Sequence, residues 1–141
     1  MANKDALRKY KDVRAQMLLG GGEDKLASQR EKGKLTARER LDRFVDQGSF
    51  VENGGYAAIR ATDFGVAEKK YLGDGVVTGS AKVDGRQVFI SSQDFTVLGG
   101  SLGEMHAQKI SEAQIPAMKN GTPFICINDS GGARIQEGVC P

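Results

Sequence analysis

Two β-rich runs, residues 76–83 and 86–91, are joined by only two residues, Asp84-Gly85. A two-residue Asp-Gly link between such runs dictates a tight β-hairpin, because both positions accept the positive φ that matches the twist of the strands. A hairpin needs a covered apolar face to be stable. The chain downstream of the hairpin supplies that cover. A helical pattern begins near Leu102, after Ser101 and Glu104, which are spaced as a capping box. Pro116 predicts a kink or a restart in that helix, and Asn120-Gly121 predicts its end. Residues 122–128 then read as a strand around the apolar run Phe124-Ile125-Cys126-Ile127. Strand, turn, strand, helix, strand is an α/β order.

The segment before the hairpin is helical. Ala6, Tyr10, Val13 and Met17 recur at four-three-four spacing, predicting a helix over residues 4–19 that Gly20-Gly21-Gly22 stops. A second helix is predicted from Thr36, where Thr36 and Glu39 form a capping box. Leu41, Phe44 and Val45 give it an apolar side, and Gly48 follows its end. These two helices cannot bury much surface alone, so they are expected to pack on a larger body or a partner.

The most chemically suggestive stretch is Asn128-Asp129-Ser130-Gly131-Gly132-Ala133-Arg134-Ile135-Gln136-Glu137-Gly138. It follows the last strand. Its two glycines let the backbone turn sharply and approach a ligand. Amides freed where a strand gives way to a helix can point at negative charge developing on an oxygen. The competing reading of Ser130-Gly131-Gly132 is a plain tight turn.

Composition narrows the classes. Hydrophobic residues are 39% and charged residues 27% of the 141, a globular balance. No apolar run approaches the ~20 residues of a bilayer span. The N-terminus is polar with early acids, unlike a secretory or transit signal. Cys126 reads as a small buried hydrophobe, and with Cys140 fits a reducing compartment, so a cytoplasmic location is expected. The net charge of +2 splits unevenly: residues 1–50 carry 12 Lys/Arg and 8 Asp/Glu. Acids interleave with the bases, and aromatic residues are only 6%, which disfavours nucleic acid as a partner. Gly73-Asp74-Gly75 lacks the third glycine of a dinucleotide fingerprint, and Gly33-Lys34 is followed by leucine, not the Ser/Thr of a phosphate loop. The single histidine, His106, has no acid–base partner beside it in sequence and reads as a packing or surface residue.

Three segments together resemble one family. Lys34-Leu35-Thr36-Ala37-Arg38-Glu39-Arg40-Leu41, Asp94-Phe95-Thr96-Val97-Leu98-Gly99-Gly100-Ser101 and Asn128 to Gly138 are similar to signature segments of the biotin-dependent carboxyltransferases that act on acyl-CoA. The resemblance runs from about residue 4 to 139. It implies a crotonase-like spiral of ββα units, only partly present here, with residues 1–50 as an N-terminal helical segment and 51–141 as the opening of the crotonase-like domain. It also implies carboxyl transfer between carboxybiotin and the α-carbon of a short-chain acyl-CoA, propionyl-CoA or methylmalonyl-CoA foremost. Gly131, Gly132, Ala133 and Arg134 would supply backbone oxyanion-hole amides. Lys34, Arg38 and Arg40 would be candidates for the CoA phosphates, with a solvated helix face as the alternative. Asp94 to Ser101 is expected to act as a structural strand-to-helix turn. The resemblance further implies biotin carried on a partner protein or domain, biotin carboxylase, carrier or decarboxylase subunits as partners, a homo-oligomer, no metal, and no membrane insertion. The alternative is a non-catalytic piece that only binds CoA or assists assembly.

Overall fold

The computed structural model describes residues 2–62, 65 and 70–138. The hairpin is its centre. Strand β2 (Val76–Val83) and strand β3 (Arg86–Gln93) pair antiparallel, with Val83 opposite Arg86. Asp84 and Gly85 take φ of 50° and 76°, the two positive values of a type I′ turn. The Asp46 carboxylate accepts from both turn amides, at 3.0 and 2.8 Å. A short strand, β1 (Val51–Asn53), adds antiparallel to β2, and β4 (Phe124–Ile127) adds parallel to β3, giving the order β1-β2-β3-β4.

Helices cover both faces, which is why five of the eight residues of β2 and six of the eight of β3 are buried. On one face sits the helix α3 (Ala37–Phe44). Its capping box is present as predicted: Thr36 Oγ1 accepts from the Glu39 amide, and the Glu39 carboxylate accepts from the Thr36 amide at 2.8 Å. Ala37 and Leu41 pack there on Val77 and Ile90, with Ile125 and Ile127 at the margin. The Ser92 hydroxyl donates to the Ala37 carbonyl and pins the helix to the sheet. On the other face lies α4 (Glu104–Asn120), which buries Met105, Lys109, Ala113 and Ala117 at four-residue spacing, with His106 beside them.

Several expectations need correction. There are three helices before the sheet, not two. Helix α1 (Ala2–Leu19) ends at the triple glycine, but α2 (Glu23–Glu31) starts directly after it. Its weak amphipathic pattern, with only Leu26 and Gln29 buried, is why periodicity does not reveal it. Of the apolar series on α1, only Met17 is buried, while Tyr10 is about half exposed. The Ser101 capping box does not form: α4 starts at Glu104 after Gly103, without a side-chain cap on its N-cap residue, and the Ser101 hydroxyl donates to the Leu98 carbonyl at 2.8 Å. Of the two expectations for Pro116, the restart does not occur: α4 runs through it to the left-handed Gly121 (φ 62°). Finally, Cys126 is exposed. Among the described strands β4 pairs only with β3, so it is an edge, and its residues are only half-buried apart from the exposed Cys126. The segment after Gly132 makes a single 3-10 turn, Ile135–Glu137. The predicted structure of Cys140 and Pro141 lies outside the described residues.

Candidate functional site: a clasped bend with one open amide

The stretch from Asp129 to Arg134 is fixed at three points. At its start, the Asp129 amide donates to Gln93 Oε1 at 2.9 Å. The Asp129 carboxylate accepts from Arg40, from Gln29 at 3.2 Å and from Lys34 at 3.5 Å. Burial pushes that carboxyl up, but the Arg40 guanidinium and Lys34 ammonium outweigh it and hold it below the usual carboxylate range. In the middle, the Gly131 amide donates to the Gly99 carbonyl at 2.9 Å. At the end, Leu102 and Ala133 form a parallel bridge: the Leu102 amide donates to Gly132 O, and the Arg134 amide to Leu102 O, each at 2.8 Å.

Of the four amides expected to form an oxyanion hole, two are therefore committed inside the protein. Gly131 and Arg134 are donors in the clasp itself. The Gly132 amide donates to the Ser130 hydroxyl at 3.1 Å, a local turn that an incoming acceptor could replace. Of the four, only the Ala133 amide has no acceptor among the described residues. Its direction follows from peptide geometry. In a trans peptide the N–H points opposite to the preceding C=O. Gly132 O faces the Leu102 amide, so Ala133 N–H faces away from Leu102, on a bend whose residues 131–133 are exposed. Gly132 has φ 114°, a conformation that favours glycine. Hydrogen exchange is expected to show this pattern, with the Gly131 and Arg134 amides protected and the Ala133 amide fast. A protected Ala133 amide in the unliganded protein would contradict the geometry.

The Arg134 side chain, unlike its exposed neighbours, is fully buried. Nη1 donates to Asp74 Oδ1 at 2.6 Å and to Glu137 Oε1 at 2.9 Å. Nη2 donates to Ser101 O at 2.9 Å and Asp74 O at 3.3 Å, and Nε to the Ser101 hydroxyl at 3.3 Å. The other oxygens of the two acids reach the uncapped start of α4. Asp74 Oδ2 accepts from the His106 amide at 3.0 Å, and Glu137 Oε2 from the Glu104 amide at 2.6 Å. Carboxylates at a helix N-terminus are favoured by its orphan amides and dipole. Burial pushes the Asp74 carboxyl up, opposed by the Arg134 guanidinium beside it.

His106 joins the two ends of this network. Its Nδ1 lies 3.0 Å from Asp74 O, and its Nε2 lies 3.4 Å from Gln93 Nε2. A carbonyl only accepts, so Nδ1 carries the proton and Nε2 accepts from Gln93. The ring is neutral with both nitrogens used, and burial pushes its pKa down to about 4. An unfolded His106 takes up its proton near the ordinary ~6.5, while the folded one waits until about 4. The stability it contributes is complete above ~6.5 and is lost as pH falls from there toward 4, on the order of 3 kcal/mol. Melting temperatures across that window should fall, and His106→Gln should flatten the decline. Lys109, pushed down to about 8 by burial, keeps its charge at neutral pH. It donates to the carbonyls of Gly73 (2.7 Å) and Val76.

The candidate CoA-phosphate residues do not form one cluster. Lys34 and Arg40 meet at Asp129, and Lys34 also lies 5.5 Å over the Phe95 ring. Arg38 faces away from them, in a two-pronged ion pair with Glu52 at 2.8 and 2.9 Å. Arg38 and Arg40 are thus occupied by internal acids, and Lys34, half-exposed, is the most accessible cation of the three. The sequence reading missed Asp74. The signal was present: an acid between two glycines, in a turn where Gly73, Asp74 and Gly75 all have positive φ. Gln93 carried no signal of its own, and Asp129 was visible only as a member of a longer motif.

Residues 28–141 match the family described as the carboxyl transferase domain, and the chain belongs to that family. Its fold is accordingly the crotonase-like α/β fold of these enzymes, with one ββα unit built by β2, β3 and α4. The chain is 54% identical over 136 residues to a propionyl-CoA carboxylase beta chain of Roseobacter denitrificans, covering 96% of this chain and 27% of that one. It is 54% identical over 125 residues to the methylmalonyl-CoA decarboxylase subunit alpha of Veillonella parvula, covering 89% of this chain and 25% of that protein. In structure it is similar to transcarboxylase 12S, described as a hexamer with methylmalonyl-coenzyme A and methylmalonic acid bound. There the TM-score is 0.93 at 44% identity, over 96% of this chain and 26% of the other. The chain thus spans about a quarter of the length of the relatives it matches.

Proposed function

We propose that this chain is the part of a biotin-dependent acyl-CoA carboxyltransferase that supplies a first oxyanion amide. Its substrate is a short-chain acyl-CoA, propionyl-CoA or methylmalonyl-CoA. The observation that carries the reading is the Ala133 amide, without an acceptor among the described residues and aimed outward on a bend held by its Gly99 and Leu102 contacts. Carboxylating or decarboxylating the α-carbon of a thioester passes through an enolate, and its charge gathers on the thioester oxygen. A fixed N–H about 2.7–3.1 Å from that oxygen stabilises the charge without reorganising. The neighbouring Gly132 amide can join it once released from Ser130. His106 is no candidate to take the α-proton, because it is buried and both its nitrogens are engaged.

The residues present do not fit biotin in the same way. Gly131, Gly132 and Ala133 are exposed and do not enclose a bicyclic ureido ring, so no step through biotin is derived from them. The relatives' names, a carboxylase beta chain and a decarboxylase subunit alpha, support a further subunit as partner, for which we propose a biotin carrier or biotin carboxylase, and the hexamer described for transcarboxylase 12S supports a homo-oligomer. The test is carboxyl transfer by the full-length subunit, given its biotin-carrying partner and a panel of short acyl-CoAs. Turnover of propionyl-CoA or methylmalonyl-CoA is expected. No turnover on any short acyl-CoA would overturn the reading. The 141 residues alone, with one open donor, are expected to be inactive.

A further inference from the structure

We propose that Asp74 is a positioning residue for the oxyanion amide: through the buried Arg134 side chain it fixes the direction in which Ala133 presents its N–H. The inference rests on the function proposed above and deepens it. Ala133 is aimed most directly by the two hydrogen bonds of the Leu102 clasp, on a bend whose residues 131–133 are exposed. The Arg134 guanidinium grips the other side of that clasp, at the carbonyl and hydroxyl of Ser101. It can do so only while its own orientation is set. Asp74 sets it from two directions, with Oδ1 on Nη1 and the backbone carbonyl on Nη2, and its second carboxylate oxygen anchors the set to the His106 amide. Asp74 is also one of three non-glycine residues with positive φ in the described chain, held between two left-handed glycines. Such backbone is unfavourable and persists where the surroundings over-determine it, often beside functional groups. Nothing in the hairpin requires an acid there. What requires it is the buried guanidinium.

The experiment uses the full-length subunit with its biotin-carrying partner and propionyl-CoA. Asp74→Asn keeps the size and the tolerance of left-handed backbone while removing the charge. It is expected to lower kcat per folded molecule about 10- to 100-fold, the cost of a misdirected group, with KM for propionyl-CoA changed less than about threefold. Asp74→Ser, a smaller side chain that also removes the charge, should act in the same sense; it decides the matter if Asp74→Asn does not fold. Val77→Ala, in the core below α3, serves as the stability control and should leave kcat per folded molecule unchanged. Ala133→Pro separates the aiming of the amide from the amide's own role. If it abolishes transfer while whichever Asp74 variant folds keeps kcat within about twofold of wild type, Asp74 is merely structural and this proposal falls. If Ala133→Pro itself retains kcat, the oxyanion reading fails instead, and the positioning role with it.

Discussion

Ala133→Pro is expected to lower kcat for carboxyl transfer about 10²–10³-fold, the usual loss when one oxyanion donor is removed. The substitution is unusually clean here. Proline deletes the N–H of residue 133, and that N–H is in no internal hydrogen bond among the described residues. Both bonds of the clasp survive, because they use Gly132 O and the Arg134 amide. The preceding residue is a glycine, which tolerates the restriction that proline imposes on its neighbour. Ala133→Gly is the companion variant. It keeps the donor and should stay within about fivefold of wild type, since only backbone freedom is added. Steady-state kinetics on the full-length subunit, with circular dichroism to confirm folding, would read both. Equal activity in the two variants would show that the amide does not contact the reacting thioester.

Gly100→Ala should be the most damaging glycine substitution near the bend. Gly100 has φ 62°, and a Cβ there would sit well inside contact distance of the Asp129 carbonyl oxygen and 3.3 Å from its carbon. Those are backbone atoms and cannot swing aside. Either the 3-10 turn Leu98–Gly100 unwinds or the bend lifts off, and in both cases the Gly131 amide loses Gly99 O. Left-handed strain and overpacking together put the cost at roughly 3 kcal/mol. Gly99→Ala is the control next door. Its φ is 67°, but a Cβ there meets nothing within 4 Å, so it carries the backbone strain alone, about 1 kcal/mol. Thermal unfolding of the two variants should therefore differ clearly, with Gly100→Ala the lower. Similar melting temperatures would mean that the turn and the bend are not in contact.

The elements that rest on local chemistry were readable from the chain. Asp84-Gly85 specifies its hairpin because few residue pairs accept two positive φ values in succession. Thr36 and Glu39 specify a helix start because both halves of the box lie within one turn. The bend after β4 was readable as a place, through its glycines and the strand before it. Its wiring was not. Which amide stays open depends on Gly99 and Leu102, some thirty residues upstream, and no local pattern encodes that pairing. The same holds for Ser101: its hydroxyl had a plausible partner three residues ahead, but the cap is lost to acids that arrive from positions 74 and 137. Arg40 offers a third case. A base on a helix face looks solvated until the fold brings Asp129 across from the other end of the chain.

Helix α4 borrows its first-turn carboxylates from the two residues that also hold Arg134. This arrangement makes one event of what would otherwise be two. The helix entrance cannot fray without loosening the guanidinium, and the loop cannot drift without leaving helix amides bare. Mild heating or early proteolysis should therefore end the proposed carboxyl transfer abruptly, with few half-competent molecules in between. Over evolutionary time, positions 74, 134 and 137 should change together or not at all.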